Sequence, residues 1–123
     1  MSQSTQRWPA AIADEAQLDD LLSTPSPAAI ETMRELDGDL IVLGVAGKMG
    51  PTLARMARRA SDAAGVSRRV IGVARFSDPA HQQVLESWGV ETIRCDLLDE
   101  AAVAHLPDAP LVVYMAGRKF GST

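Results

Sequence analysis

A layered α/β domain built on a parallel sheet of four strands is what this sequence predicts, and three observations predict it. From Asp39 onward, short apolar runs alternate with helical patterns in the order βαβαβαβ, which requires crossover connections and hence parallel strands. The helical patterns carry matching punctuation: Asp78-Pro79 and Asp99 open helices, and Gly65 and Gly89 close two. Finally, glycines at 44, 47 and 50 stand between the first apolar run and the first amphipathic one.

The elements follow in order. Residues 1–38 read as a helical N-terminal extension in which Ser-Thr-Pro-Ser-Pro at 23–27 separates two short helices. Ile12, Leu18, Leu21 and Leu22 fit the first. Ser26 as N-cap, Pro27 in the first turn, an Ile30-Met33-Leu36 face and Gly38 beyond the end fit the second. Neither buries much alone, so their apolar stripes are expected to cover the following domain or a partner, with the first dozen residues left as an arm. Residues 39–123 are the domain proper. Leu40–Gly44 is its first strand, Lys48–Ala64 its first helix, Val70–Val73 its second strand and Pro79–Trp88 its second helix. Val90–Arg94, Asp99–Leu106 and Leu111–Met115 then read as strand, short helix and strand. The last strand does not alternate and is expected to be buried on both faces. In the first helix, Leu53, Met56, Ala57, Ala60 and Ala64 form the expected buried face, with Arg55, Arg58 and Arg59 turned mostly to water.

Composition narrows the function. With 123 residues and 46% hydrophobic content, the chain suits one domain with a modest core. A net charge of −4 provides no broad positive field, which argues against nucleic acid as a partner. Cys95 is the only cysteine, so no internal disulfide or paired-cysteine motif exists, and a reducing, cytoplasmic setting is expected. No apolar run approaches the roughly 20 residues that span a bilayer, so no membrane is expected. His81 and His105 are isolated and, with Cys95, offer no metal-ligand spacing. Trp8 and Trp88 read as packing residues, and Asp19-Asp20 as a solvated face.

The glycines carry the chemistry. Directly after a strand and opening a helix, the first allows a tight turn, the second lets backbone amides approach a pyrophosphate, and the third lets helix and strand pack closely. The phosphate then meets unpaired N–H groups and the positive end of the helix dipole, with Lys48 as an added cation. A P-loop is excluded, because it would require glycine at Val42 and a hydroxyl at Met49. The bland alternative is a glycine turn that serves packing alone.

Gly-Val-Ala-Gly-Lys-Met-Gly at 44–50 has the spacing of the extended and atypical short-chain dehydrogenase/reductases, and the order of segments across Leu40–Gly117 is similar to that superfamily. The segments from Val70, from Trp88 and from Val112 to Gly117 resemble its second, third and fourth strands. The chain most resembles the NAD-dependent epimerase/dehydratase family, as an N-terminal portion. The resemblance implies a Rossmann-like sheet of order 3-2-1-4 and NAD(P) as cofactor. It also implies a small-molecule substrate and leaves homo-oligomerisation open for the longer protein. By position it implies that Gly44, Gly47, Lys48, Met49 and Gly50 hold the pyrophosphate. Asp96 and Leu97 would contact adenine, and Ala116 and Gly117 would lie beside the nicotinamide ribose. The competing reading of Asp96 is a turn or helix-capping aspartate, and of Ala116-Gly117 mere turn chemistry.

Two departures qualify the resemblance. Where NAD-preferring relatives place an acidic residue after the second strand, this chain has Ala74-Arg75, and arginine suits a 2′-phosphate, so NADP is favoured where the family label says NAD. No Tyr-x-x-x-Lys pair is present, and Tyr114 has no lysine four residues on, so no catalytic residue is assigned. Ser122 and Thr123 belong to the final loop. The chain is therefore expected to be the N-terminal part of a longer enzyme, truncated after the fourth strand and inactive alone. The alternatives are a non-catalytic NAD(P) sensor, or a dihydrodipicolinate reductase-like enzyme, whose Gly-x-x-Gly-[Arg/Lys]-Met-Gly loop is similar.

Overall fold

The computed structural model describes residues 15–115. Trp8, Ile12, Ala116 and Gly117 lie outside them. Helices α1 (Glu15–Leu22) and α2 (Pro27–Glu35) lead into β1 (Leu40–Leu43), α3 (Gly50–Ala63), β2 (Val70–Ala74) and α4 (Pro79–Ser87). β3 (Glu91–Arg94), α5 (Glu100–Val103) and β4 (Leu111–Tyr114) complete the order. The four strands form one all-parallel sheet, β3-β2-β1-β4, so the fold is Rossmann-like. The chain builds outward from β1 to β3 and then returns to the other side of β1. Leu43 stands opposite both Val73 and Tyr114, and Ala74 opposite Arg94, which brings the C-terminal ends of the strands to one level edge.

Alternation along the central strands divides the core in two. On one face Leu40, Val42, Val70 and Ala74 pack with Ala54 and Ala57 of α3 and Leu85 of α4. On the other, Ile41, Ile71 and Val73 meet Cys95, Leu97, Ala102 and Leu106 around the short α5. The caps behave as their chemistry dictates. Ser26, Asp78 and Asp99 accept from backbone amides two or three residues on. Gly65 and Gly89 adopt φ of 72° and 85°, and the amides after them reach back to Ser61 and Leu85.

Three expectations are corrected. The buried residues of α3 are Gly50, Ala54, Ala57, Ala60 and Ser61, with Ala54 and Ala57 in the core against the sheet, while Leu53, Met56 and Ala64 are only half-buried. Small residues win because the helix lies close on the strands, and bulk is pushed to the flanks of the seam. Arg55, Arg58 and Arg59 are engaged, because α1 and α4 flank α3. Arg55 ion-pairs Asp20 at 3.6 Å and lies 4.6 Å from the Trp88 ring centroid, while Arg59 donates to Asp20 and Ser23. Arg58 joins Asp62 and the Arg68 carbonyl. Asp20 is accordingly an ion-pair acceptor and not merely a solvated acid. The third correction concerns β4, which is not buried on both faces: Val112 and Tyr114 are 58% and 68% exposed. Among the described residues, only α5 serves that side of the sheet, and it lies over β1, β2 and β3.

The leading helices are docked on α3. Arg68, only 6% exposed, donates to the carbonyls of Met33 and Leu36 at the C-terminus of α2, where a cation also meets the negative end of the helix dipole. Met33 packs against the first core.

Candidate functional site

The C-terminal edge of the sheet gathers the loop after β1, Arg75 after β2, Asp96 after β3 and Met115 after β4. In such sheets the crevice opens where the strand order reverses, here between β1 and β4.

The loop is built by glycines of different kinds. Gly44 takes φ of 83°, which side chains resist, and its amide and that of Val45 both donate to the Val73 carbonyl, at 2.8 and 3.0 Å. Val45 is thereby driven fully inside, onto Gly72 of β2, where a Cβ would lie 2.9 Å from Val45 Cγ1. Gly50 starts α3 against the Val45 backbone, with a Cβ position 2.6 Å from the Val45 carbonyl carbon. These glycines are demanded by the chain itself. Gly47 is different: its φ is not positive, and a Cβ there would meet only the Gly44 carbonyl oxygen, at 3.8 Å. Nothing among the described residues requires glycine at 47.

Around Gly47, the amides of Ala46, Gly47, Lys48 and Met49 find no acceptor among the described residues. They precede a 14-residue helix with Pro51 in its first turn, and the bond from the Leu53 amide to the Met49 carbonyl at 3.0 Å opens its ladder. The loop thus presents a run of free donors at the positive end of a helix dipole, beside the exposed Lys48 and Met49. That arrangement is one that can receive an anion.

The remaining residues are placed unequally. Arg75 is exposed, with no acceptor among the described residues. Behind it Phe76 takes φ of 49° and inserts into the first core, an uncommon backbone for an aromatic residue. One oxygen of Asp96 accepts from the Leu98 amide at 2.9 Å, so half of this carboxylate serves the turn before α5. Leu97 packs inward on the second core, leaving its backbone at the edge. Ala116 and Gly117 lie outside the described residues, but the Met115 amide bonds the Leu43 carbonyl at 2.8 Å, so the chain leaves β4 beside the glycine loop.

No group of metal-ligating side chains occurs among the described residues, and no helix there is long and apolar enough to cross a membrane. His81 is exposed near Asp78, and His105 bonds the Ala101 carbonyl within its own helical turn. Titration is perturbed at the opposite end of the sheet. There the hydrogen bonds and charge of Arg69, at 2.9 and 3.0 Å, hold the Glu91 carboxyl below its ordinary range.

Sequence reasoning missed Val45 and Phe76. The legible signal for Val45 was a β-branched residue inside a glycine loop paired with a glycine in the middle of β2. For Phe76, it was a lone aromatic between strand and capped helix.

The fold and loop define a Rossmann-like α/β domain with an exposed glycine loop at the C-terminal edge of its sheet. No protein-family model, curated protein or solved structure matches the chain, so the functional argument rests on this geometry.

Proposed function

We propose that the chain binds a dinucleotide, NAD(P), along the C-terminal edge of its sheet, as the cofactor-binding portion of an oxidoreductase or epimerase acting on a small molecule. The observation that carries the reading is Gly47, a glycine that packing and backbone leave unexplained among the described residues, set among amides with no acceptor there. A pyrophosphate passing over the loop explains both, because a side chain at 47 would stand where the phosphate meets the backbone. A positive φ accounts for Gly44 and packing against Val45 for Gly50, but neither accounts for Gly47 among the described residues.

In this reading the amides from Ala46 to Met49 and the start of α3 receive the pyrophosphate, with Lys48 adding charge. Arg75 faces the adenosine ribose and favours a 2′-phosphate, hence NADP over NAD. The free oxygen of Asp96 and the backbone of Leu97 border the adenine. Ala116 and Gly117 are assigned to the nicotinamide ribose by the resemblance. When bound, the nicotinamide supplies hydride acceptance and return. The chain's own residues bind and orient it, and no acid or base is assigned to them.

The test is titration of NADP and NAD into wild type and Gly47→Val. The variant should melt like wild type and lose at least tenfold in affinity, roughly 1.4 kcal/mol or more. Unchanged affinity in the folded variant would mean that the loop serves packing only.

A further inference from the structure

Among the described residues the chain places glycine at the positive-φ positions 38, 44, 65 and 89, and Phe76, at 49°, is the exception. A bulky side chain is disfavoured in that region and persists only where its surroundings over-determine it. Here they do. Phe76 is 2% exposed and belongs to the first core, with Ala74, Val45 and Leu85. The chain has to turn at this point, because β2 ends at Ala74 and Asp78 already caps α4. Glycine would supply that turn without steric cost, as Gly44 does after β1, but would leave a loose joint. Phenylalanine makes the same turn and pins it to the core.

What the pin secures is the residue before it. Ala74 and Phe76 are both buried in the first core, and the Ala74 carbonyl accepts from the Cys95 amide at 2.9 Å. Arg75 therefore has a backbone anchored on both sides and a side chain left at the surface, with no acceptor among the described residues. The glycine loop is fixed to the same core by Val45, which is fully buried and whose amide bonds the Val73 carbonyl. The loops after β1 and β2, which the dinucleotide would touch, are thus each held by one apolar plug in one core. An arginine loses conformational freedom when it closes on an anion, and fixing its backbone beforehand reduces that loss.

We infer that Phe76 is a positioning residue for Arg75: its buried ring and left-handed backbone hold the start of the arginine side chain where it meets a phosphomonoester on the ribose 2′-oxygen, and so sustain the choice of NADP over NAD. The inference rests on the dinucleotide reading and goes beyond it by giving a part in specificity to a residue that touches no ligand.

Adenosine 2′,5′-bisphosphate and adenosine 5′-monophosphate differ only in the 2′-phosphate. Both are titrated at one fixed ionic strength into the full chain as wild type, Phe76→Gly, Phe76→Leu, Arg75→Gln and the double variant Phe76→Gly, Arg75→Gln. Wild type should prefer the bisphosphate. Phe76→Gly suits the backbone but removes the plug, and should reduce that preference about tenfold while leaving 5′-monophosphate affinity unchanged. Phe76→Leu keeps an apolar plug and should retain most of the preference. Added to Arg75→Gln, Phe76→Gly should reduce it no further, because the two act through one guanidinium. A ring that merely fills the core would lower Tm on replacement and leave the ratio of the two affinities at the wild-type value. That ratio in a folded Phe76→Gly, or additive losses in the double variant, would overturn the positioning role alone. Whether or not Phe76→Gly folds, backbone amide relaxation of ligand-free wild type provides a second reading. Arg75 and Phe76 should show rigid order parameters of about 0.85, and values below about 0.6 would overturn the role. Failure of the folded wild type to bind either nucleotide would overturn the dinucleotide reading and the positioning role with it.

Discussion

Replacing Gly50 and Gly47 separately by alanine tests the division of labour in the loop. At Gly50 the new Cβ would lie 2.6 Å from the Val45 carbonyl carbon and 2.9 Å from its Cα, with the carbonyl oxygen closer still. Carbon atoms pack at about 3.5–4.0 Å, so the start of α3 must move away from Val45 by about 1 Å. Val45 has no room to yield, because it is fully buried against Gly72 and its amide is bonded to Val73. Overpacking of this kind costs about 3 kcal/mol, and alanine's better helix propensity offsets at most about 1, leaving a net loss of roughly 2 kcal/mol. In a domain of this size that lowers Tm by roughly 10 °C. At Gly47 the new methyl meets only an ordinary contact at 3.8 Å, and stability should stay within about 0.5 kcal/mol of wild type. Thermal melts followed by circular dichroism decide between them. Gly50→Ala melting with wild type, or both variants falling equally, would refute the reasoning.

Further outcomes follow from the rest of the structure. Arg68→Met strips the Met33 and Leu36 carbonyls of their buried donor and should cost roughly 2–4 kcal/mol in denaturant melts, with α2 becoming protease-sensitive first. Glu91 is held below its ordinary pKa by Arg69, so its contribution is fully present above that ordinary value and is lost as pH falls through the depressed one. Glu91→Gln should therefore lower stability slightly at neutral pH and converge with wild type in acid, flattening the acid limb of the stability curve, as melts from pH 7 down to pH 3 would show. Val112 and Tyr114 expose apolar surface on an edge strand, so the double variant Val112→Lys, Tyr114→Lys should raise the monomer fraction in sedimentation.

The alternation of strands and helices was legible because apolar runs and capping residues mark element ends independently of packing. Ser26, Asp78, Asp99, Gly65 and Gly89 stand where their chemistry required. Burial was less legible. Apolar content picks out large side chains such as Leu53 and Met56, whereas the seam of α3 is selected by how closely a helix lies on strands, which favours Ala54 and Ala57. The Leu111–Tyr114 run shows that a strand tolerates burial on both faces but not that anything covers it. The roles of Arg55, Arg58 and Arg59 depend on partners in α1, α4 and the turn after α3, distant or irregular in sequence. At the site, spacing located the glycines, yet only the folded structure separates Gly47, which no contact among the described residues requires, from Gly44 and Gly50, which backbone and packing do require. Asp96 was legible as a residue of the edge, but its bond to the Leu98 amide was not.

The central claim is that the loop from Gly44 to Gly50 is a pyrophosphate cradle, and amide chemical-shift mapping during titration with NADP tests it most directly. The account predicts saturable binding, with the largest shifts at Ala46, Gly47, Lys48 and Met49, the amides without acceptors among the described residues. Smaller shifts are expected at Arg75 and Asp96, and none at Arg69 and Glu91 at the far end of the sheet. A folded protein whose loop amides remain unmoved at saturating nucleotide, or which binds none, would contradict it.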